Sequence, residues 1–113
     1  MSDDPTASAA PLASGVPLRF EADDPVFDGH FPGRPIVPAA MLLARVVAMA
    51  DAWQAAQRPG AAPIAEVVQA KFLRPLGPGE DCTVAFTARD GGIRFTIHSA
   101  AGAIASGALR VAG

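Results

Sequence analysis

The chain has 113 residues, half of them hydrophobic, and a formal net charge of −2 at pH 7. This length and apolar content predict one small domain with a packed core and argue against global disorder. The charge and the lack of a recognisable nucleic-acid-binding motif argue against a nucleic-acid partner. The single cysteine, Cys82, excludes an intrachain disulfide, fits a reducing cytoplasm and is expected to serve packing.

The first residues predict a tail outside the fold. Residues 1–15 begin with acidic side chains and lack both a positive region and a sustained apolar run, so we expect a disordered tail and no targeting segment. A single domain is then expected over residues 16–113. The longest apolar run, residues 39–50, contains Arg45 and is too short to span a bilayer, which predicts no membrane partner and a cytoplasmic location.

A strand and then a helix are predicted in the first half of the domain. A strand over residues 16–22 ends at Asp23-Asp24-Pro25, and a Pro- and Gly-rich loop follows. The helix is predicted over about residues 38–57, with Pro38 as its first residue. Because this helix is apolar on nearly every side, it should be buried on nearly every side, as in a sheet that wraps around it.

The second half predicts an antiparallel sheet. Breakers end the helix at Arg58-Pro59-Gly60, and turns such as Asp90-Gly91-Gly92 separate the later strand patterns. The four predicted strands cover residues 64–73, 82–89, 93–99 and 103–111. Successive hairpins indicate an α+β domain and exclude a series of βαβ units.

The segment around His30 is the strongest indication of chemistry. His30 lies in a loop stiffened by proline and glycine, and Pro38 marks the start of the apolar helix. The N-terminus of a helix presents backbone donors that stabilise an oxyanion, and an imidazole moves protons near neutral pH. The sequence thus favours His30 as a base beside a site for a thioester carbonyl.

Two motifs carry a resemblance to a known family. The run HFPGRPIVP from His30 to Pro38 and the run KFLRPLGPGE from Lys71 to Glu80 resemble those of the FabA/FabZ-type 3-hydroxyacyl-[acyl-carrier-protein] dehydratases. Together with their spacing, they extend the resemblance over most of residues 16–112. It implies a hot-dog fold, in which an antiparallel sheet wraps around one long helix and two chains form a continuous sheet.

The resemblance also implies the site residues. His30 would remove the α-proton of a 3-hydroxyacyl thioester, and the backbone N–H of Ala39, where the family has glycine, would polarise the carbonyl. The family's acidic residue lies fourteen positions after the histidine on the helix and reaches the site formed with the other subunit's histidine, and Ala44 occupies this position. The full substrate-binding set implied in this way is Phe31, Gly33, Pro38, Ala39, Ala40 and Ala44.

Other polar residues are weaker candidates. Asp28, Asp51 and Glu66 are possible replacement acids, but Asp28 fits an Asp-Gly turn and Asp51 lies about 10 Å along the helix from position 44. Arg45 needs a partner or access to solvent within an apolar helix. His98 is expected to be exposed or on an edge strand, and two histidines without nearby cysteine or a spaced carboxylate predict no metal. Arg34, Lys71 and Arg74 are candidates for contacts with a phosphopantetheine phosphate or an acidic carrier protein. The alternative interpretation is that these three residues are scattered surface charges.

The function predicted from these features is the binding of an acyl thioester carried by acyl carrier protein or CoA. Dehydratase activity would be weak or altered without an acid at position 44, and no cofactor is expected. A homodimer is one arrangement. The alternatives are a non-catalytic or half-site subunit paired with a related hot-dog chain, and an acyl thioesterase.

Overall fold

The computed structural model describes residues 15–27 and 36–112, which form five strands and one long helix. Strand β1 spans Val16–Leu18, and a single 3-10 turn covers Pro25–Phe27. Helix α1 spans Ala39–Gln57. The remaining strands are β2 at Ile64–Phe72, β3 at Cys82–Arg89, β4 at Gly92–Ser99 and β5 at Gly102–Val111.

The strands form one antiparallel sheet in the order β1-β3-β4-β5-β2. The predicted α+β hot-dog architecture is therefore confirmed. Along β3 and β4 buried and exposed residues alternate, so that one face of the sheet packs on α1 and the other meets solvent. Phe86 and Phe95 are fully buried on the inner face, and Trp53 of the helix stacks on Phe86 with ring centroids 5.5 Å apart.

The first strand is shorter than predicted. The ladder between β1 and β3 stops at Leu18, opposite Cys82, although residues 16–22 were expected to be extended. Phe20 is nevertheless buried, and its carbonyl accepts a hydrogen bond from the Gly79 N–H at 2.8 Å. The chain after Leu18 thus stays attached to the domain through an apolar side chain and one backbone bond.

Helix α1 begins one residue later than predicted. Pro38 has an extended backbone, with φ −60° and ψ 142°, and it is the residue that precedes the helix. Its carbonyl accepts hydrogen bonds from Met41 N–H and Leu42 N–H, both at 3.0 Å. This is the ordinary arrangement of a helix-capping residue, whose carbonyl accepts the first helical bonds while its own conformation is still extended.

Only one side of α1 is buried within a single chain, contrary to the expectation of burial on nearly every side. The sheet-facing side holds Leu42, Val46, Ala50 and Gln54, all buried. The opposite side is exposed, and we call it the alanine face; it consists of Ala40, Met41, Ala44, Ala48, Ala52 and Ala55. A five-stranded sheet covers one flank of a helix, which leaves the alanine face exposed among the described residues.

By length and hydropathy alone, α1 could cross a membrane. It has 19 residues with a mean hydropathy of 1.2, and within residues 15–27 and 36–112 it is the one helix that meets this test. Core helices of soluble proteins meet the same test, and one flank of α1 packs against the sheet. The test is therefore weak evidence for a membrane span.

Two polar side chains of α1 hold the loop that leads into β2. Asp51 Oδ1 accepts a hydrogen bond from the Ile64 N–H at 2.8 Å, and Gln54 Nε2 donates one to the Ala62 carbonyl at 2.7 Å. These bonds satisfy backbone groups at the point where the chain reverses from helix to sheet. Both side chains therefore have a structural role, which explains polar residues in an otherwise apolar helix.

Candidate active site at the start of the helix

The N-terminus of α1 presents unused backbone donors. Among the described residues, the N–H groups of Met41 and Leu42 bond to Pro38, whereas those of Ala39 and Ala40 make no hydrogen bond. Ala39 and Ala40 are also exposed, and no side chain within residues 15–27 and 36–112 caps this end of the helix. Open N–H groups at the positive end of a helix dipole favour a negatively charged oxygen.

An apolar groove of about 350 Å³ adjoins these donors. One wall is formed by Ile36, Val37, Ala39 and Leu42, and the other by residues 72–76 at the end of β2. The Val37 N–H donates to the Leu76 carbonyl at 2.8 Å and joins the two walls. The groove can therefore hold an apolar chain with its polar head near the start of the helix.

The far wall of the groove is fixed by an ion pair. The Arg74 guanidinium donates to the Glu80 carboxylate and to Ser99 Oγ, the latter at 2.5 Å. Hydrogen bonding from Arg74 lowers the pKa of Glu80, with a further contribution from the Gly77 N–H. Arg74 thus holds the turn after β2 in place, so its charge is already used within the chain.

Ala44 lines a different groove. This second groove, of about 290 Å³, is formed by Phe20, Asp24, Met41, Ala44, Arg45 and Ala48. Ala39 and Ala44 are five residues apart, which separates them by about 140° around the helix. Within one chain, position 44 therefore faces away from the groove that Ala39 lines, and its role in a shared site stays a prediction.

Arg45 has a partner that the sequence did not predict. Its guanidinium carbon lies 4.3 Å from the centroid of the Phe20 ring, and Phe20 is buried. Stacking on an aromatic ring stabilises a cation without a carboxylate. No local sequence signal links these residues, because Phe20 follows β1 and Arg45 lies in the helix.

The replacement acids suggested by the sequence do not reach the start of the helix. Asp51 bonds to the Ile64 N–H and lies twelve residues after Ala39, which is about 18 Å along the axis. Glu66 forms an ion pair with Arg110 on the neighbouring strand. Asp28 lies outside the described residues. Neither Asp51 nor Glu66 can therefore supply a proton at the groove in this chain.

Several predicted site residues lie outside the described part of the chain. These are His30, Phe31 and Gly33, together with Arg34, the predicted tail up to residue 14 and the terminal residue 113. Residues 28–35 connect Phe27 with Ile36. Phe27 is buried on one side of this segment, and Val37 is buried on the other side. The roles expected for His30, Phe31 and Gly33 stay predictions, whereas Pro38, Ala39 and Ala40 lie at the start of the helix as expected.

The remaining candidates have ordinary structural positions. His98 is exposed, as predicted, but on β4 in the interior of the sheet and not on an edge strand. Across residues 15–27 and 36–112, no group of His, Cys, Asp or Glu is arranged to hold a metal. Cys82 is buried, and burial raises the pKa of its thiol, so it stays protonated at neutral pH. Its packing role is confirmed.

The walls of the groove at the start of α1 were not predicted from the sequence. Ile36, Val37 and Leu42 were not singled out, and neither were Phe72 and Leu73. A signal was available, because Phe72 and Leu73 belong to the second of the two motifs that carried the resemblance. The pairing of that motif with the start of the helix depends on how β2 returns along α1, which the pattern alone does not give.

Comparison with known proteins assigns the chain to a family. A family model described as ApeI-like, ApeI dehydratase, matches residues 13–108. The chain belongs to the ApeI-like dehydratase family. Among solved structures, a chain of the dehydratase heterocomplex ApeI:P from Xenorhabdus doucetiae matches with a TM-score of 0.66 at 20% identity, covering 86% of this chain and 84% of that chain. An uncharacterised protein from Erwinia carotovora subsp. atroseptica matches with a TM-score of 0.66 at 17% identity, covering 89% and 95% respectively.

Curated relatives of this ApeI-like chain carry the name 3-hydroxyacyl-[acyl-carrier-protein] dehydratase FabZ. The protein from Symbiobacterium thermophilum is 39% identical over 62 residues, which are 51% of this chain and 43% of the relative. A protein from Thermus thermophilus is 36% identical over 73 residues, or 55% and 51%. The matched regions thus span about half the length of these relatives. These matches and the ApeI-like family model agree with the dehydratase-type resemblance.

Proposed function

We propose that this protein binds 3-hydroxyacyl thioesters, carried by acyl carrier protein or CoA, in the groove at the start of α1. The observation that carries the proposal is the pair of open N–H groups, on Ala39 and Ala40, beside an apolar groove of about 350 Å³. The donors would bind the thioester oxygen, and the groove would take the acyl chain. The names of the FabZ relatives support this substrate class.

In the proposed reaction, His30 takes the α-proton and the resulting negative charge moves to the thioester oxygen at the Ala39 N–H. The C–O bond at the β-carbon then breaks, and the leaving hydroxide needs a proton to depart as water. Ala44 cannot supply it. His30 would have to return its own proton, so a homodimer of this chain would dehydrate slowly.

The test is an assay of enoyl-thioester formation from a 3-hydroxyacyl pantetheine thioester. His30→Ala should abolish the activity that the wild-type protein shows. His98→Ala is the matched control, because His98 is exposed on the sheet face opposite α1, and this variant should keep wild-type activity. Activity that survives His30→Ala would show that the base lies elsewhere.

We also propose that the working unit contains two hot-dog chains. Strand β2 is an edge of the sheet and carries exposed apolar side chains, with Val68 56% and Phe72 44% exposed. The alanine face of α1 is exposed as well. Pairing along β2 with a second chain would cover unpaired backbone groups and apolar surface together. Light scattering of the purified protein at micromolar concentration should give a dimer mass, and a monomer mass would contradict a homodimer.

A heteromer with a related hot-dog chain is the second candidate, and the exposed Ala44 favours it. A partner that carries an acid at the corresponding helix position would complete the site that uses His30 of this chain. The site facing Ala44 would stay inactive. The solved relative from Xenorhabdus doucetiae, a dehydratase heterocomplex, supports this candidate. Co-purification with an acid-bearing hot-dog chain, with activity lost on His30→Ala in this chain, would favour the heteromer over the homodimer.

Thioester hydrolysis has less support, because hot-dog thioesterases also use an acidic residue on the central helix and this chain has Ala44 there. The same assay distinguishes it, since hydrolysis releases a free thiol without forming an enoyl product. We further propose a cytoplasmic location, where acyl carrier protein or CoA thioesters would be available.

A further inference from the structure

Four residues of α1 form the floor of the groove that Ala44 lines. Met41, Ala44, Arg45 and Ala48 follow one another at spacings of three, one and three residues, which places them side by side on one face of the helix. We call this groove, of about 290 Å³, the Ala44 groove. The two alanines are exposed and fill little of it. Among the described residues that line the groove, Arg45 is the one that carries a positive charge.

Arg45 is held at the wall of this groove by an aromatic ring. Its guanidinium carbon lies 4.3 Å from the centroid of the Phe20 ring, and Phe20 is buried. Stacking uses the flat face of the guanidinium and leaves the N–H groups at its edge available as donors. Within residues 15–27 and 36–112, Arg45 forms no ion pair with a carboxylate. Arg45 therefore presents hydrogen-bond donors at the wall of the groove.

The charges of the Ala44 groove favour a neutral group in the ligand. Asp24 also lines the groove, so the described lining residues contribute one positive and one negative charge. A free anion would be attracted by Arg45 and repelled by Asp24. A hydroxyl oxygen accepts a hydrogen bond from a guanidinium without adding a charge. The apolar side chains of Phe20 and Met41 suit the carbon chain on either side of such a hydroxyl.

The Ala44 groove and the thioester groove lie on different sides of α1. Because Ala39 and Ala44 are about 140° apart around the helix, one chain cannot present both grooves to the same acyl group. The Ala44 groove opens on the alanine face, which is exposed within a single chain. A second chain that covers this face would bring its own ligand against Arg45.

We propose that Arg45 recognises the 3-hydroxyl group of an acyl thioester bound by the second chain. This inference rests on the proposed function and on the proposed unit of two chains. The guanidinium N–H groups would donate to the hydroxyl oxygen, and they would stabilise the charge on this oxygen as the carbon–oxygen bond breaks. Arg45 keeps its protons. The electron pair of the α-carbon–hydrogen bond forms the double bond, the carbon–oxygen pair leaves with the oxygen, and the proton removed by His30 completes the water.

The test is the binding of two pantetheine analogues by isothermal titration calorimetry. In both analogues an amide replaces the thioester, and the acyl group is 3-hydroxyhexanoyl in one and hexanoyl in the other. Wild type should bind the hydroxylated analogue about tenfold or more tightly than the other, because a hydrogen bond from a charged donor is gained. Arg45→Met keeps an apolar side chain against Phe20 but has no donor, so it should bind both analogues equally. Arg45→Lys should keep part of the preference.

Arg58→Met is the matched control. It makes the same substitution at an exposed residue that follows α1 and lines neither groove, so it should keep the wild-type preference for the hydroxylated analogue. Thermal unfolding of each variant checks that the fold is intact. A lower melting temperature with an unchanged preference would give Arg45 a structural role alone and would overturn the proposal.

The outcomes separate recognition by Arg45 from the proposed function. If wild type prefers the hydroxylated analogue and Arg45→Met does not, both proposals are supported. If wild type binds both analogues equally, or if Arg45→Met keeps the preference, the role of Arg45 is wrong while thioester binding stands. If folded wild type binds neither analogue, the proposed function fails and the inference about Arg45 fails with it.

Discussion

Replacing Ala44 by glutamate tests whether the lack of an acid at position 44 limits the proposed dehydration. Position 44 is exposed and borders a groove of about 290 Å³, so a longer side chain has room. It lies five residues after Ala39, about 7.5 Å along the axis, and helical side chains lean towards the N-terminus. Because position 44 lies about 140° around the helix from Ala39, the new carboxyl group would serve a site shared with a second chain, and not the groove that Ala39 of the same chain lines.

The expected gain in rate is large compared with the cost in stability. A positioned general acid contributes about 10²–10⁴-fold, which corresponds to about 3–5 kcal/mol of activation free energy. On an exposed helix position, glutamate in place of alanine costs a few tenths of a kcal/mol in helix propensity. Initial rates of enoyl-thioester formation by wild type and Ala44→Glu, at matched protein concentration, measure the effect.

The control for this variant is Ala48→Glu. Ala48 borders the same groove one turn later, about 6 Å along the axis, so its carboxyl group should miss the reacting carbon–oxygen bond. We expect no gain from Ala48→Glu. An equal gain from both variants, or no gain from a folded Ala44→Glu protein, would refute the argument that the lack of an acid at position 44 limits the reaction.

Three further predictions concern the fold. Because Arg74 lowers the pKa of Glu80, the folded state favours the ionised carboxylate. In urea titrations at different pH values, the stability advantage of wild type over Glu80→Gln should be full above about pH 5 and shrink as pH falls below 4.5. A stability advantage that stays constant with pH would contradict this. Phe86→Ala should cost about 3–5 kcal/mol in chemical denaturation and alter the fluorescence of Trp53, which stacks on it. Gly107→Ala should lower the melting temperature, because a Cβ there would be 2.3 Å from the Gln69 carbonyl oxygen and 2.7 Å from the Phe95 ring; unchanged melting would refute this.

The local elements of this protein follow from its sequence. The helix at Ala39–Gln57 and the strands β3 to β5 lie within one residue of their predicted bounds. Hydrophobic periodicity, proline at the start of the helix and turn residues between the strands act over a few neighbours, so a linear pattern contains them. The family resemblance likewise came from two short motifs, and the family model agrees with it.

The arrangement of those elements was decided by tertiary packing. The position of β2 at the sheet edge beside β5 depends on how the chain returns after the helix. The same return brings the end of β2 against Val37 and Leu76. The contact of Arg45 with the buried Phe20 also depends on tertiary packing, because the two residues are far apart in sequence. Such contacts depend on the path of the whole chain and not on local preference.

The candidate site divides in the same way. Its motif, the alanine at position 44 and the proline that precedes the helix were visible in the sequence. The walls of both grooves required the fold, since each groove depends on residues brought together from separate elements. Sequence patterns record which side chains alternate along an element, whereas a groove forms only when separate elements pack against one another.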